Sequence, residues 1–253
     1  MKISIITSCL NRSATIRQAI ESVLSQDYLE IEYIVIDGAS KDNSLNIINE
    51  YRGKITTIIS ESDRGMYEAI NKGIALATGD VIGLLNSDDI FYSVDTISNI
   101  AKRMVEVGAD IVYGNGLFVN SNDSLKIVRN WISGEYNRDK IRNGWLPLHT
   151  TVFIRRSCFD KLGLYDENYK IAADSDLLVR YLYYGDFKIA YLNEYVVKMR
   201  MGGISTNLTN VKQKFIEDRR LYKTHGFNSL RTILCKMLSK VPQFISAKFL
   251  MSQ

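Results

Sequence analysis

Cysteine, histidine and proline are scarce in these 253 residues, and each shortage excludes something. The three cysteines, Cys9, Cys158 and Cys235, are odd in number, scattered and without metal-ligand spacing. That argues against a disulfide framework or a zinc site, and it suits a reducing cytoplasm. With only His149 and His225, a histidine-built metal centre is not expected, so carboxylates should hold any metal. Two prolines, Pro147 and Pro242, and no low-complexity run give no sign of extended disorder. No apolar run approaches the ~18 residues that cross a bilayer. Residues 3–6 behind Met1-Lys2 are too short for a signal-peptide core and read as a first buried strand. No G-x-G-x-x-G follows that strand and no G-x-x-x-x-G-K-[ST] is found, which disfavours dinucleotide oxidoreductases and P-loop nucleotidases. The first loop also lacks the Gly-rich, basic form of sugar-phosphate nucleotidyltransferases. Diphosphate charge would have to meet a metal and basic side chains rather than a glycine cradle.

What is there is a globular chain, 46% hydrophobic and 24% charged, long enough for one large domain or two small ones. Short β-branched runs at 3–7, 31–36, 55–59, 81–85 and 110–113 alternate with helical patterns at 14–24, 44–51, 66–77 and 94–107. This alternation predicts crossover units and a largely parallel sheet. Polar loops at 8–13, 37–43, 61–65 and 86–89 would then converge on one sheet edge. Beyond Gly114 the pattern changes. Strands are expected at 117–119, 126–131, 151–155, 188–192 and 195–199, with a helix over 174–184.

One of those loops carries the sharpest signal. Residues 84–90, Leu-Leu-Asn-Ser-Asp-Asp-Ile, bring an apolar strand straight into Asp88 and Asp89. Ligands of open α/β sheets bind just outside the carboxyl ends of strands. Adjacent acids there suit a hard divalent cation, which brings phosphates with it. The same acids also suit a helix start.

Taken in order, the motifs resemble the family 2 glycosyltransferases. They are Ile5-Ile6-Thr7-Ser8 with Asn11-Arg12, then Ile36-Asp37-Gly38-Ala39-Ser40 with Asp42, then Asn86-Ser87-Asp88-Asp89. The run from Glu61-Ser62-Asp63-Arg64-Gly65 to Asn71-Lys72-Gly73 is similar to a branch that builds bacterial surface polysaccharides. The similarity covers residues 1–115 strongly and 145–205 moderately, and none is seen beyond about 206.

The resemblance implies an α/β, Rossmann-like GT-A fold with a mostly parallel central sheet flanked by helices and a helical C-terminal extension. Residues 1–115 would bind the nucleotide-sugar, 116–205 the acceptor, and 206–253 would form the extension. It implies an inverting enzyme using Mg²⁺ or Mn²⁺ and a nucleotide diphosphate sugar, UDP-linked before GDP or dTDP. The acceptor would be an oligosaccharide or lipid-linked glycan in surface-polysaccharide or O-antigen assembly, with no nucleic-acid partner. In a DXD-like motif, Asp88 and Asp89 would hold the metal, with Ser87 and Asp88 beside the donor. Thr7, Asn11, Asp37, Asp63 and Arg64 sit in the nucleotide loops, where Asp37-Gly38 also suits a plain turn. Inverting transfer needs one general base at the acceptor hydroxyl. Ala172-Ala173-Asp174-Ser175-Asp176 resembles the family's Glu-Asp signature, making Asp174 the expected base and Asp176 the second choice. Both acids would equally balance a helix dipole.

The chain departs from the family pattern in four places. Asn86 stands for the first acid of the triplet, Ala173 for Glu, Leu10 for a base-stacking aromatic, and Gly38 for a second acid. Asn86 and Ala173 suggest an alternative, a catalytically inactive GT-A-like protein that binds glycan or nucleotide, while Leu10 and Gly38 leave the donor base open. His149 is either structural or part of the site; core packing is the expectation for Trp131 and Trp145, with stacking on an acceptor sugar as the alternative. Gly202-Gly203-Ile204-Ser205 reads as a loop over the diphosphate or an ordinary turn. In the tail, Leu230, Ile233, Leu234, Met237, Leu238 and Val241 recur at helical spacing. Residues 226–253 hold four Lys or Arg and no acid. A packing helix is the expectation; the alternative is a basic amphipathic helix on an anionic membrane. The protein is expected in the cytoplasm, with any membrane contact peripheral and at the inner face.

Overall fold

The computed structural model describes residues 1–121, 123, 125–202 and 210–250. Most of the glycine loop at 202–205 therefore lies outside the described residues. The strands are β1 (Ile3–Cys9), β2 (Ile31–Asp37), β3 (Thr57–Ser60), β4 (Val81–Leu84), β5 (Ile90–Phe91), β6 (Ile111–Val119), β7 (Ile127–Trp131), β8 (Phe153–Arg155) and β9 (Ile189–Arg200). They form one sheet in the order β3-β2-β1-β4-β8-β6-β9-β5, with β7 paired to β6. The first four pair in parallel, as the alternating pattern predicts. From β8 onward the sheet is mixed: β8 runs antiparallel to β4 and β6, and β9 runs parallel to β6.

Side-chain parity sorts the sheet into two apolar layers. Ile6, Ile34, Ile36 and Ile82 face α3 (Met66–Leu76) through Ile70 and Ile74. Ile3, Ile5, Tyr33, Val35 and Val81 face the other way. There they meet α1 (Ile16–Leu24), α2 (Ser44–Glu50) and α4 (Thr96–Val107). Both faces are covered, which is why these strands are apolar throughout rather than alternating with polar residues. Each such side chain contributes about 1.5–3 kcal/mol by leaving water. β1 lies between β2 and β4, so the strand order reverses at the gap between β1 and β4, where a ligand crevice opens.

The second half is threaded through α5 (Arg138–Ile141), α6 (Arg156–Leu162) and α7 (Ala173–Val179), which continues as a π-helical turn over 180–184. The segments expected at 188–192 and 195–199 are one strand, β9. Its break in pattern is a bulge, where pairing with β6 shifts register between Tyr113 and Gly116. Gly114 permits it, because a Cβ there would come within 2.6 Å of Val196.

The tail is three helices, α8 (Val211–Thr224), α9 (Ser229–Leu238) and α10 (Val241–Leu250). Leu221, Tyr222 and Ile233 join the core layer under α7. The packing expected of the whole stripe holds only for Ile233. Leu230, Leu234, Met237, Leu238 and Val241 are 54–61% exposed, because α9 turns Thr232, Ile233 and Lys236 inward instead.

One buried acid ties the N-terminal strands together. Glu32 accepts from Lys2 Nζ at 2.9 Å, from Thr78 N at 2.7 Å, and from the Ser4 and Thr78 hydroxyls. Burial alone would raise its pKa, but these donors outweigh it and lower it from 4.5 to about 2. A depressed pKa stabilises the folded state above the unfolded value, and the effect fades as pH falls through the folded one. Glu32→Gln should therefore cost about 2 kcal/mol at neutral pH. In urea titrations the deficit should be full above pH 4.5 and vanish as pH falls to about 2.

Candidate active site

A cleft of about 760 Å³ opens at the carboxyl ends of β1 and β4, a size that suits a nucleotide-sized ligand. The loops after those strands form one wall, and β7 with the tail helices forms the opposite one.

At the strand end, β5 turns the chain back immediately after Asp89 and pairs it with β9. Thr15 donates its hydroxyl to the Ser87 carbonyl at 2.9 Å and pins the loop to the start of α1. Asp89 is buried; its Oδ2 accepts from Asn86 Nδ2 at 2.8 Å and its Oδ1 from the Arg200 amide at 3.0 Å. Arg200 Nη1 donates to the Asp88 carbonyl at 3.0 Å. Burial, and next the Asp88 carboxylate beside it, push the Asp89 pKa up. Both Asp89 oxygens thus already hold donors, whereas the Asp88 side chain lines the cleft with no hydrogen-bond donor among the described residues. The same contact gives Asn86 a role: its amide donates to Asp89, which an ionised acid in its place could not do.

No group of three His, Cys, Asp or Glu side chains converges among the described residues. A small divalent ion held by one or two carboxylates and completed by substrate phosphates and water still fits Asp88, with Asp89 behind it.

Across the cleft, Asp174 opens α7 and lines the cavity. Among the described residues, its carboxylate accepts from the Ser175 amide alone, at 2.7 Å. The loop leading to it is held from the tail. Glu217 of α8 accepts the amides of Lys170, Ile171 and Ala172 at 3.1, 2.8 and 3.0 Å. His149 also lines the cleft, with Nε2 3.1 Å from the Tyr165 hydroxyl. Burial lowers its pKa, with Asp174 opposing, so the imidazole is neutral near pH 7. Trp131 and Trp145, expected in the core, are half-buried and line the cleft.

The structure does not bring Asp176 to this cavity. It is buried beneath α7, 2.8 Å from Arg180 Nε and 2.9 Å from His225 Nε2. Burial alone would raise its pKa, but the His225 and Arg180 hydrogen bonds hold it below the usual carboxylate value. Asp176 is an ion-paired brace between α7 and the end of α8.

The nucleotide loops divide in the same way. Thr7 is fully buried against the Tyr33 hydroxyl at 3.1 Å. Asp37 is fully buried and gathers Ser40 and Ser60. Asn11, at φ +52, accepts from the Lys41 amide at 2.8 Å. These three shape the loops from behind, while Ser8, Leu10, Arg12 and Asp63 face the cavity. Arg64 points to solvent, 80% exposed, with Glu68 and Glu167 as partners at 2.8 and 2.6 Å. Gly38 has a local reason: a Cβ there would stand 2.5 Å from Asp63 Oδ2, so Asp63 occupies the space of the missing second acid.

Arg200 and Glu217 carried no sequence signal. Arg200 ends a strand without a motif, and Glu217 lies beyond residue 206, where no resemblance was visible.

Comparison with known proteins agrees with this fold. The model of Glycosyl transferase family 2 matches residues 4–163. The chain is 29% identical over 212 residues to the PGL/p-HBAD biosynthesis glycosyltransferase of Mycobacterium bovis, covering 82% of this chain and 80% of that one. An uncharacterized glycosyltransferase of Mycobacterium tuberculosis is 31% identical over 180 residues, 70% of this chain and 68% of its own. Among solved structures, S. aureus TarS 1-349 in complex with UDP-GlcNAc superposes with a TM-score of 0.68 at 20% identity, over 87% of this chain. This chain spans 65% of that TarS fragment. The fold is the GT-A type expected from the sequence, its sheet mixed beyond β4. With most of its length matched by the family model, this chain belongs to glycosyl transferase family 2.

Proposed function

We propose that this chain transfers a sugar, with inversion, from a UDP-linked donor to a glycan acceptor in surface-polysaccharide or O-antigen assembly. The observation that carries this reading is the pair of acids lining one cleft, Asp88 at the end of β4 and Asp174 at the start of α7. Complexes of TarS with UDP-GlcNAc and UDP, and of a Pyrobaculum calidifontis mannosyltransferase with GDP-Man and Mn²⁺, support a nucleotide-sugar donor. In this reading residues 1–115 hold the donor, 116–205 the acceptor, and 206–253 the base helix and the far wall.

Asp88, backed by Asp89, would hold Mg²⁺ or Mn²⁺, which as a Lewis acid neutralises charge on the departing diphosphate. Arg200 fixes the acid loop and adds a cation at its edge. Asp174 takes the proton from the acceptor hydroxyl as it attacks the anomeric carbon from the face opposite the diphosphate. Neutral His149 and the ring of Tyr165 border that carboxylate, and Leu10, 52% exposed, offers an apolar surface to the donor base. Ala173, the other departure from the family signature, is fully buried, so a glutamate there would need a buried partner of its own.

The enzyme would act in the cytoplasm, at the inner face of the membrane. The exposed apolar residues of α9 and α10 and the acid-free sequence of 226–253 support contact with an anionic lipid surface. Vesicle co-sedimentation should fall when Leu234 and Leu238 are both changed to Ser; unchanged sedimentation would remove that part of the proposal.

Asp174→Asn should lower kcat by about 10²–10⁴-fold with the donor KM unchanged. Asp176→Asn should instead destabilise the fold by about 3 kcal/mol in urea titrations. The anomeric proton of the product, followed by NMR, should show inverted configuration. Wild-type turnover by Asp174→Asn, or a product of retained configuration, would sink the mechanism.

A further inference from the structure

The far wall of the cleft carries more positive charge than its own carboxylates answer. Arg129 of β7 is only 7% exposed. Its Nε donates to Gln243 of α10 at 2.6 Å, and its guanidinium lies 4.4 Å from the Trp131 ring centre and 5.6 Å from that of Phe244. Its Nη2 is buried with no hydrogen-bond partner. Lys214 of α8, Lys236 of α9 and Lys240 line the same cleft. Among the described residues, the carboxylate ion-paired with this group is Asp218, 3.1 Å from Lys236 Nζ. Burial, and then repulsion from Lys236, Lys214 and Arg129, push the Lys240 amine down to about 8.

Buried cations are ordinarily paired, and a buried N–H without an acceptor calls for an explanation. An anion of two or more charges would supply both. The backbone of Arg129 stands apart from the acid loop where the donor diphosphate would lie. Arg129 stands opposite Phe118, and Phe118 opposite Met199, the residue before Arg200. That register sets Arg129 two strand spacings, roughly 10 Å, from the strand end that holds the acid loop.

We infer that Arg129, Lys214, Lys236 and Lys240 form a second anion site that receives a phosphate or diphosphate ester carried by the acceptor. The inference rests on the transferase reading for the word acceptor, but not for the site. Two sources share this chemistry, a lipid-linked diphosphate and a water-soluble phosphorylated glycan.

The test is calorimetric titration of the full chain with farnesyl diphosphate and with inorganic pyrophosphate, each with and without saturating UDP and Mn²⁺. Both probes should bind in the presence of UDP, and Lys240→Gln should weaken them at least tenfold while UDP affinity stays unchanged. Arg129→Gln should do the same; if it fails to fold, Lys240→Gln still decides. A tenfold preference for farnesyl diphosphate would identify the lipid-linked source, and equal affinity the soluble one. Probe binding that ignores Lys240→Gln overturns the site, as does a parallel loss of UDP binding, which would make these cations part of the donor site. Lys240-dependent pyrophosphate binding in a protein that binds no UDP would keep the site and defeat the UDP-donor reading.

Discussion

A buried carboxylate must be met by donors or it is not tolerated, and that constraint organises this molecule. Glu32, Asp37, Asp89, Asp176 and Glu217 are all buried, and each spends its oxygens on backbone amides, hydroxyls or cations. They bind strand to strand, loop to loop and tail to core. Among the described residues, Asp88 and Asp174 are not used in this way, and both face the cleft. Reactive groups here are recognised by what has not been used to hold the fold.

The same constraint joins the tail to the chemistry. Glu217 fixes the three amides ahead of α7, and His225 at the end of α8 closes on Asp176. Two residues beyond 206 therefore hold the segment that carries Asp174. The extension is thus no separable appendage: α9 and α10 also complete the cleft wall that Arg129 approaches from β7. Inward it places Lys236 beside apolar Leu221, Tyr222 and Ile233, and outward it mixes apolar and basic residues, so a single helical stripe could not describe it.

Much of this could be read in the sequence, for definable reasons. The strands of the first half are short β-branched runs covered on both faces, so their apolar continuity marks them, and β1 to β4 stand where expected. Asp88 could be read because it directly follows a buried strand, and Asp174 because it opens a helix. Neither assignment of role is tested by the fold. What could not be read depends on long-range pairing. The β9 bulge looks like two segments because its Cα partners lie nearly 80 residues away on β6. Thr7 and Asp37 sit in the right loops, but burial turns them into braces. Asp176 differs from Asp174 only through partners on α7 and α8, and two positions of helical rotation carry no sequence label.

The central claim is that Asp88 makes this cleft a metal-dependent donor site. The most direct measurement is calorimetric titration of UDP into the wild type and Asp88→Asn, each with and without Mn²⁺. The account predicts that wild-type binding requires Mn²⁺ and that Asp88→Asn loses the metal-dependent part while remaining folded. UDP binding that is indifferent to both Mn²⁺ and Asp88 would contradict it.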